Sequence, residues 1–381
     1  MIDSHNKTLG IIFPNTYDAL IPELTNVRLM ASVPFASRYR LIDFVLSSMS
    51  NCGIDDIYIM ANRNYHSLLD HLGSGRDWDL VRKNGGLNIL PPFAIETSKQ
   101  YTGRVTALAG ILELLRHSSE KYVLISDSNI ACNFDFNKMI AEHEKVGADV
   151  SVAYNVQEFP ASIKESHDDT KGFYYTLRMG ENGRVTNIHV NDHCAGLQNF
   201  SMNIYLIERE LLIELINTAF VRGMQYLERD VLLPQLDKLN VHGYKFEGYV
   251  ARISDLKSYF DENMKLLNDK NLDALFGGSH IYTKIRDDNP TRYITGAKVE
   301  NTMAADGCII EGEVENSVLF RGVKIGKGAK IKNCILMQDT VVEAGAELEY
   351  VITDKNVTIT AGKSMKGEES LPVYIGKYKI V

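Results

Sequence analysis

Paired cysteines are missing from this chain. Its 381 residues include five cysteines, Cys52, Cys132, Cys194, Cys308 and Cys334, odd in number, scattered, and never in a Cys-x-x-Cys arrangement. That excludes a disulfide framework and the usual zinc spacings, and points to reduced thiols. Long apolar runs are missing too: none approaches the roughly 18 residues that a membrane helix needs. The opening Met1-Ile-Asp-Ser-His-Asn-Lys7 has no basic stretch leading into an apolar one, so no secretory leader is expected. Nor is there an excess of positive charge. Lysine and arginine number 41 against 49 aspartates and glutamates, a net charge of −8. Nucleic acid and anionic membrane surfaces are therefore poor partners. The expectation is a cytoplasmic protein. Hydrophobic residues make up 45% of it, enough for two or three domains with real cores.

The first half alternates strand and helix signals. Leu9–Phe13, Ile54–Ala61, Tyr122–Ile125 and Asp149–Tyr154 are short continuous apolar stretches, and Val105–Leu115 and Phe136–Glu144 have helical spacing. Buried strands separated by helices predict an α/β domain with a mostly parallel sheet, Rossmann-like in character. Ligands in such sheets bind beyond the carboxyl ends of the strands, and Asp127 stands just past Ile125. A helical stretch over Leu256–Leu272 runs into Gly277-Gly278, a natural linker. From about residue 290 helical spacing stops. Apolar residues recur about every six positions: Met303, Ile309, Val314, Phe320, Ile325, Ile331, Met337, Val342, Leu348 and Ile359. That period predicts a left-handed parallel β-helix with those residues facing inward; a run of antiparallel strands is the alternative. The expected division is 1–275, a linker over 276–290, and the β-helix over 291–381.

Several segments resemble one family in order and spacing: Arg28, the block from Val33 to Asn51, Ser201-Met-Asn-Ile-Tyr205, Asp230-Val-Leu-Leu-Pro234, Ser258–Met264, Ile281–Lys284, Ala305–Ile310 and Val314–Gly322. They are similar to glucose-1-phosphate adenylyltransferase (ADP-glucose pyrophosphorylase). The resemblance implies a reaction in which a sugar phosphate oxygen attacks the α-phosphate of ATP and releases pyrophosphate. Such displacement relies on positioning and charge neutralisation. It needs donors around the triphosphate and two carboxylates holding Mg²⁺.

Set against that pattern, the chemistry is depleted. The family's glycine-rich phosphate loop reads Asn15-Thr-Tyr-Asp-Ala-Leu-Ile21, with Leu20 in place of the arginine and Asp18 adding negative charge. Met30 stands where the family has a lysine. Asp127 in Ser126-Asp-Ser128 matches the first metal carboxylate; the position of the second is Arg252, whose charge repels a metal ion. Asp127 is then a relic, or a partner for Arg252. Gly103-Arg-Val-Thr-Ala107 replaces a Gly-Thr-Ala-x-Ala element, and no Glu-Lys-Pro grips a sugar phosphate between Arg184 and Phe200. Asn203 replaces a glycine in the sugar pocket, whereas Arg229-Asp230 keeps the family charge pattern. No catalytic or metal-ligating residue is assigned, and no cofactor is expected.

The resemblance therefore implies a weakly or non-catalytic regulatory subunit. It would join a catalytic glucose-1-phosphate adenylyltransferase subunit in a hetero-oligomer, a heterotetramer by expectation, and serve bacterial glycogen biosynthesis. A sugar-phosphate or nucleotide effector is implied near the domain junction, with Arg28, Arg40 and Arg321 as anion candidates; each arginine equally suits a structural salt bridge. The alternative is an active nucleotidyltransferase with a remodelled site, requiring Mg²⁺ and ATP. A hexapeptide-repeat acyltransferase is a weaker reading, because such enzymes usually depend on a histidine in the β-helix and none follows His280.

Overall fold

In the computed structural model the described residues are 8–61, 63–83, 85–91, 103–158, 173–192 and 196–381. Met1 to Lys7 and Cys194 lie outside them. Nine strands form one sheet: β1 (Thr8–Phe13), β2 (Asp56–Met60), β3 (Gly86–Leu90), β4 (Tyr122–Asp127), β5 (Val150–Glu158), β6 (Tyr175–Met179), β7 (Val185–Val190), β8 (Leu197–Glu208) and β9 (Val241–Lys245). Their order is β7-β6-β8-β4-β1-β2-β3, with β5 on β8 and β9 on β5. β1 lies parallel to β4 and β2, and β2 parallel to β3. β8 runs antiparallel to β4 and β5. The runs Leu9-Gly-Ile-Ile-Phe13 and Tyr122–Asp127 are buried along their whole length, because helices cover both faces. One of these, α1 (Leu41–Asn51), passes so near that a Cβ on Gly10 would lie 2.9 Å from the Met49 sulfur.

The helical stretches are interrupted where local chemistry favours a turn. Val105–Leu115 divides into α3 (Arg104–Ala109) and α4 (Leu112–His117) around Gly110; α2 (His66–Leu72) precedes them. α5 (Phe136–Val146) opens on Asp135, whose carboxylate accepts from the Asn137 and Lys138 amides, and closes on left-handed Gly147. α6 spans Arg209–Val221. Leu256–Leu272 divides into α7 (Leu256–Lys265) and α8 (Asp269–Phe276), because the Asn268 side chain caps a new helix.

From Arg292 to Ile375 the chain winds into a parallel β-helix with three faces of five strands each. Equivalent residues are 15 apart in the first turn, Val299 to Val314, then 17 apart through Ile331 and Leu348 to Met365. Turns shorter than 18 explain the occasional fives in the sequence period. Asn301, Asn316 and Asn333 take up positive φ at one corner, a conformation Asn tolerates.

The inward set differs from the sequence expectation at several positions. Val314, Ile325, Ile331, Val342, Leu348 and Ile359 do build the β-helix core, but Ile310 fills the place expected of Ile309. Phe320 and Met337 face the other way. With Val318, Ile335 and Ile352 they pack on Phe35, Phe44, Tyr259 and Phe260 of the first domain, and Met303 lies beside this seam. Both inner and outer positions of that face are apolar, so period alone does not separate them.

A second face carries columns of charge that alternate in sign except where Glu300 meets Glu315. Lys298, Glu313, Lys330 and Glu347 stand in register, as do Glu300, Glu315, Lys332, Glu349 and Lys366. Ion pairs join Lys298 to Glu313, Lys330 to Glu347, Lys332 to Glu315 and Lys366 to Glu349 at 2.6–3.4 Å.

Candidate functional site: a carboxylate closed by a guanidinium

Asp127 ends β4 at the carboxyl edge of the sheet, the usual ligand edge of α/β folds. All around it polar groups converge. Its Oδ1 accepts the Thr16 hydroxyl at 3.0 Å, and its Oδ2 accepts Arg104 Nη2 at 2.6 Å and Asn203 Nδ2 at 3.0 Å. Arg104 also makes an ion pair with Glu228 through Nη1. The three charged side chains are buried. Burial is the largest single influence and opposes the Arg104 charge, but Asp127 together with Tyr205, Tyr17 and Tyr175 outweighs it and holds the guanidinium above its ordinary pKa. The Phe13 and Tyr205 rings flank the same guanidinium at 5.7 and 5.6 Å.

Local sequence places these groups. Arg104 opens α3 immediately after Gly103, and a Cβ on Gly103 would stand 2.3 Å from the Gln225 carbonyl oxygen. Glycine permits the close approach that turns Arg104 inward. Asn203 adopts φ +54° where the β5–β8 register shifts between Ser201 and Ile204. Its amide donates to both Asp127 and the Tyr17 hydroxyl.

The loop standing in for the phosphate loop folds into the site. Tyr17 is buried, stacks on Tyr174 at 5.2 Å, and donates its hydroxyl to the Phe173 carbonyl at 3.0 Å. Met30 belongs to the core, and Leu20 packs against that core. Asp18 turns onto the Met30 amide at 2.7 Å. Burial raises the Asp18 carboxyl to about 7, against the pull of that hydrogen bond. The folded state therefore keeps this proton to higher pH than the unfolded chain. The favourable contribution is full below about pH 4 and is lost as pH rises through about 7. Asp18→Asn is expected to flatten that decline and to raise Tm at pH 8 by about 2–4 °C, the shift that roughly 1 kcal/mol produces. Thermal unfolding across pH 4–8 checks it; an unchanged pH slope would count against the assignment.

Arg252 does not meet Asp127. It lies on a two-stranded ribbon, paired with Ile130. Its Nη2 donates to Asn155 Oδ1 at 3.2 Å and the Ser201 carbonyl at 3.1 Å, and the guanidinium stacks over Phe200 at 4.2 Å. Burial lowers its pKa to about 10. Arg229 and Asp230 pair with each other at 2.7 Å, and Asp230 also accepts the Gln225 and Tyr226 amides.

These residues do not fit Mg²⁺. The ion needs several free oxygen ligands in octahedral array. Asp127 is the one carboxylate kept from the expected pair, and both its oxygens already receive donors. Among the described residues no group of three His, Cys, Asp or Glu side chains converges.

A second site lies where the domains meet. A cleft of about 430 Å³ is lined by Arg38, Arg40, Lys284, Arg286, Arg321, Lys355 and Lys377, with Asp70 the acid among them. Arg40 Nη1 donates to Ser67, and Arg321 donates through both terminal nitrogens to the Lys284 carbonyl at 3.1 Å. Burial, with Arg40 and Arg28 nearby, lowers Lys355 to about 6. Arg40 and Arg321 thus share one cleft. Arg28 does not line it: its Nη2 donates to both oxygens of Asp354, at 2.7 and 2.8 Å, with both side chains buried.

The sequence reading missed Arg104 and Glu228 as site residues. An arginine opening an otherwise apolar helix was the available signal for the first. Glu228 offered none, because its burial depends on the turn of helix over Leu227–Leu232.

Comparison with known proteins agrees with this architecture. Residues 20–162 match the family described as Nucleotidyl transferase, and residues 286–370 the one described as GlmU-like, C-terminal hexapeptide. The chain is 34% identical over 374 residues to the glycogen biosynthesis protein GlgD of Bacillus subtilis (strain 168), covering 98% of this chain and 96% of that one. It is 36% identical to the GlgD of Geobacillus stearothermophilus, covering 86% and 83%. It is 30% identical to a glucose-1-phosphate adenylyltransferase of Bacillus cytotoxicus, covering 89% of both.

Proposed function

Because this chain belongs to the family of glycogen biosynthesis proteins GlgD and glucose-1-phosphate adenylyltransferases, we propose that it is a regulatory, weakly or non-catalytic subunit that raises the activity of a catalytic glucose-1-phosphate adenylyltransferase subunit. A role in glycogen biosynthesis follows from the membership. The regulatory part rests on one observation: the Arg104 guanidinium sits on Asp127, where the family's chemistry needs a metal ion. A charged, hydrogen-bonded donor there competes directly with Mg²⁺. Tyr17 and Asn203 crowd the same place.

The subunit would act through contacts that differ between two states of its neighbour, which is the requirement for one site to influence another. Partner choice and tetramer assembly belong to this proposal, as does a cytoplasmic location beside the nucleotide-sugar pool. The basic cleft at the domain junction suits a sugar-phosphate or nucleotide effector by charge. Arg40 and Arg321 would contact it.

The test is ADP-glucose synthesis by this chain alone, by the catalytic subunit alone, and by the co-expressed pair. The expected result is no measurable turnover alone and several-fold more turnover in the pair than in the catalytic subunit. Robust Mg²⁺- and ATP-dependent turnover by the pure chain, abolished by Asp127→Asn, would overturn the proposal and establish a remodelled enzyme.

A further inference from the structure

Four arginines are buried among the described residues, and two of them pair with carboxylates; Arg321 instead donates to the Lys284 carbonyl at the edge of the basic cleft. Arg28 holds Asp354, and Arg104 holds Asp127 and Glu228. Arg252 is as deeply placed, yet it meets no carboxylate among the described residues. Its Nη2 reaches two neutral oxygens, and neither Nε nor Nη1 has an acceptor. A buried cation with vacant N–H bonds is costly unless something else supplies the charge. Asp127, whose charge is felt weakly at Arg252, is already engaged: it receives Thr16, Arg104 and Asn203. Ser128 Oγ, on the turn that leads into the strand paired with Arg252, is likewise buried without a partner.

The geometry points to an anion. We propose that Arg252 holds a phosphate or phosphate monoester, without a divalent metal. The guanidinium is kept in place by Phe200 beneath it and by Asn155 and Ser201 at one nitrogen. Three N–H bonds on Nε and Nη1 are left for oxygen ligands, and a tetrahedral oxyanion accepts such donors well. The site has thus changed sign: the position that would hold a metal cation in a catalytic relative offers a cation of its own. This inference stands whether or not the chain assembles with a catalytic subunit.

The experiment uses the full chain carrying Arg38→Ala and Arg321→Ala, which weakens the separate basic cleft, and titrates inorganic phosphate calorimetrically in EDTA. One phosphate per chain is expected, with Kd weakened at least tenfold by adding Arg252→Met. Absence of phosphate binding, binding indifferent to Arg252→Met, or binding that requires Mg²⁺ would each overturn the inference. A second readout guards against misfolding. In phosphate-free buffer Arg252→Met should raise Tm, because it removes an unpaired buried charge, and added phosphate should erase that advantage by stabilising the unmodified chain. A variant less stable than its parent in both buffers would mean that Arg252 is only structural.

Discussion

Replacing Arg104 with methionine should destabilise the chain by about 3–5 kcal/mol, the range for removing one partner of a buried ion pair. Methionine fills similar space, so the loss reports charge rather than cavity. It leaves Asp127 and Glu228 in one dry pocket with no cation between them. Two such carboxylates take up protons more readily than in water. The deficit should therefore be largest at neutral pH and should shrink as acidification neutralises them. Adding Asp127→Asn to Arg104→Met should recover part of the loss, since coupled residues are not additive. Urea unfolding at pH 5 and pH 8 measures all three effects. A loss below about 1 kcal/mol at pH 8 would show that the guanidinium does not hold this site together.

The second large effect is expected at the join between the domains. Arg28→Met strands the Asp354 carboxylate on the β-helix with only the Tyr374 hydroxyl, at 3.0 Å, and the Lys355 amide for company. The expected loss is again about 3–5 kcal/mol. Its form should differ: the Arg104 pocket lies within one domain, whereas Arg28 and Asp354 belong to different ones. Calorimetry should show the transition separating into two, with the β-helix melting independently of the sheet domain. Arg28→Met combined with Asp354→Leu should lose much less than the two single changes added together, because no unpaired charge remains. A single transition in Arg28→Met would mean that the apolar seam of Phe320 and Met337 suffices to couple the domains.

Much of the architecture was legible because it depends on local pattern. Continuous apolar runs gave β1, β4 and β5, and Asp127 fell at a strand end as the rules for parallel sheets require. The β-helix was legible from its period, but its facing was not at Phe320 and Met337. There an outer apolar residue serves the seam, and the sequence contains no mark that distinguishes it from an inner one. Losses at Leu20, Met30 and Arg252 could be read by comparison with the family pattern. The gain at Arg104 could not. Its meaning arises only when Gly103 lets the helix start approach Gln225 and so aims the side chain at Asp127. Arg28 illustrates the same limit: its partner Asp354 lies 326 residues away, so no window of sequence contains both.

The alternating charges on the second β-helix face bear on how this chain can lengthen or shorten over time. Individually such exposed pairs contribute little. A stack of near-identical turns, however, offers many nearly equivalent alignments of one turn on the next. Here a slip, or the loss of the turn bearing Lys330 and Lys332, would set Glu313 against Glu347 and Glu315 against Glu349. Losing two neighbouring turns would restore opposite charges at Lys298 and Glu347 and would leave Glu300 facing a glutamate, as it does now. The column from Lys298 to Glu347 thus carries a parity, under which turns are more readily gained or lost in pairs than singly.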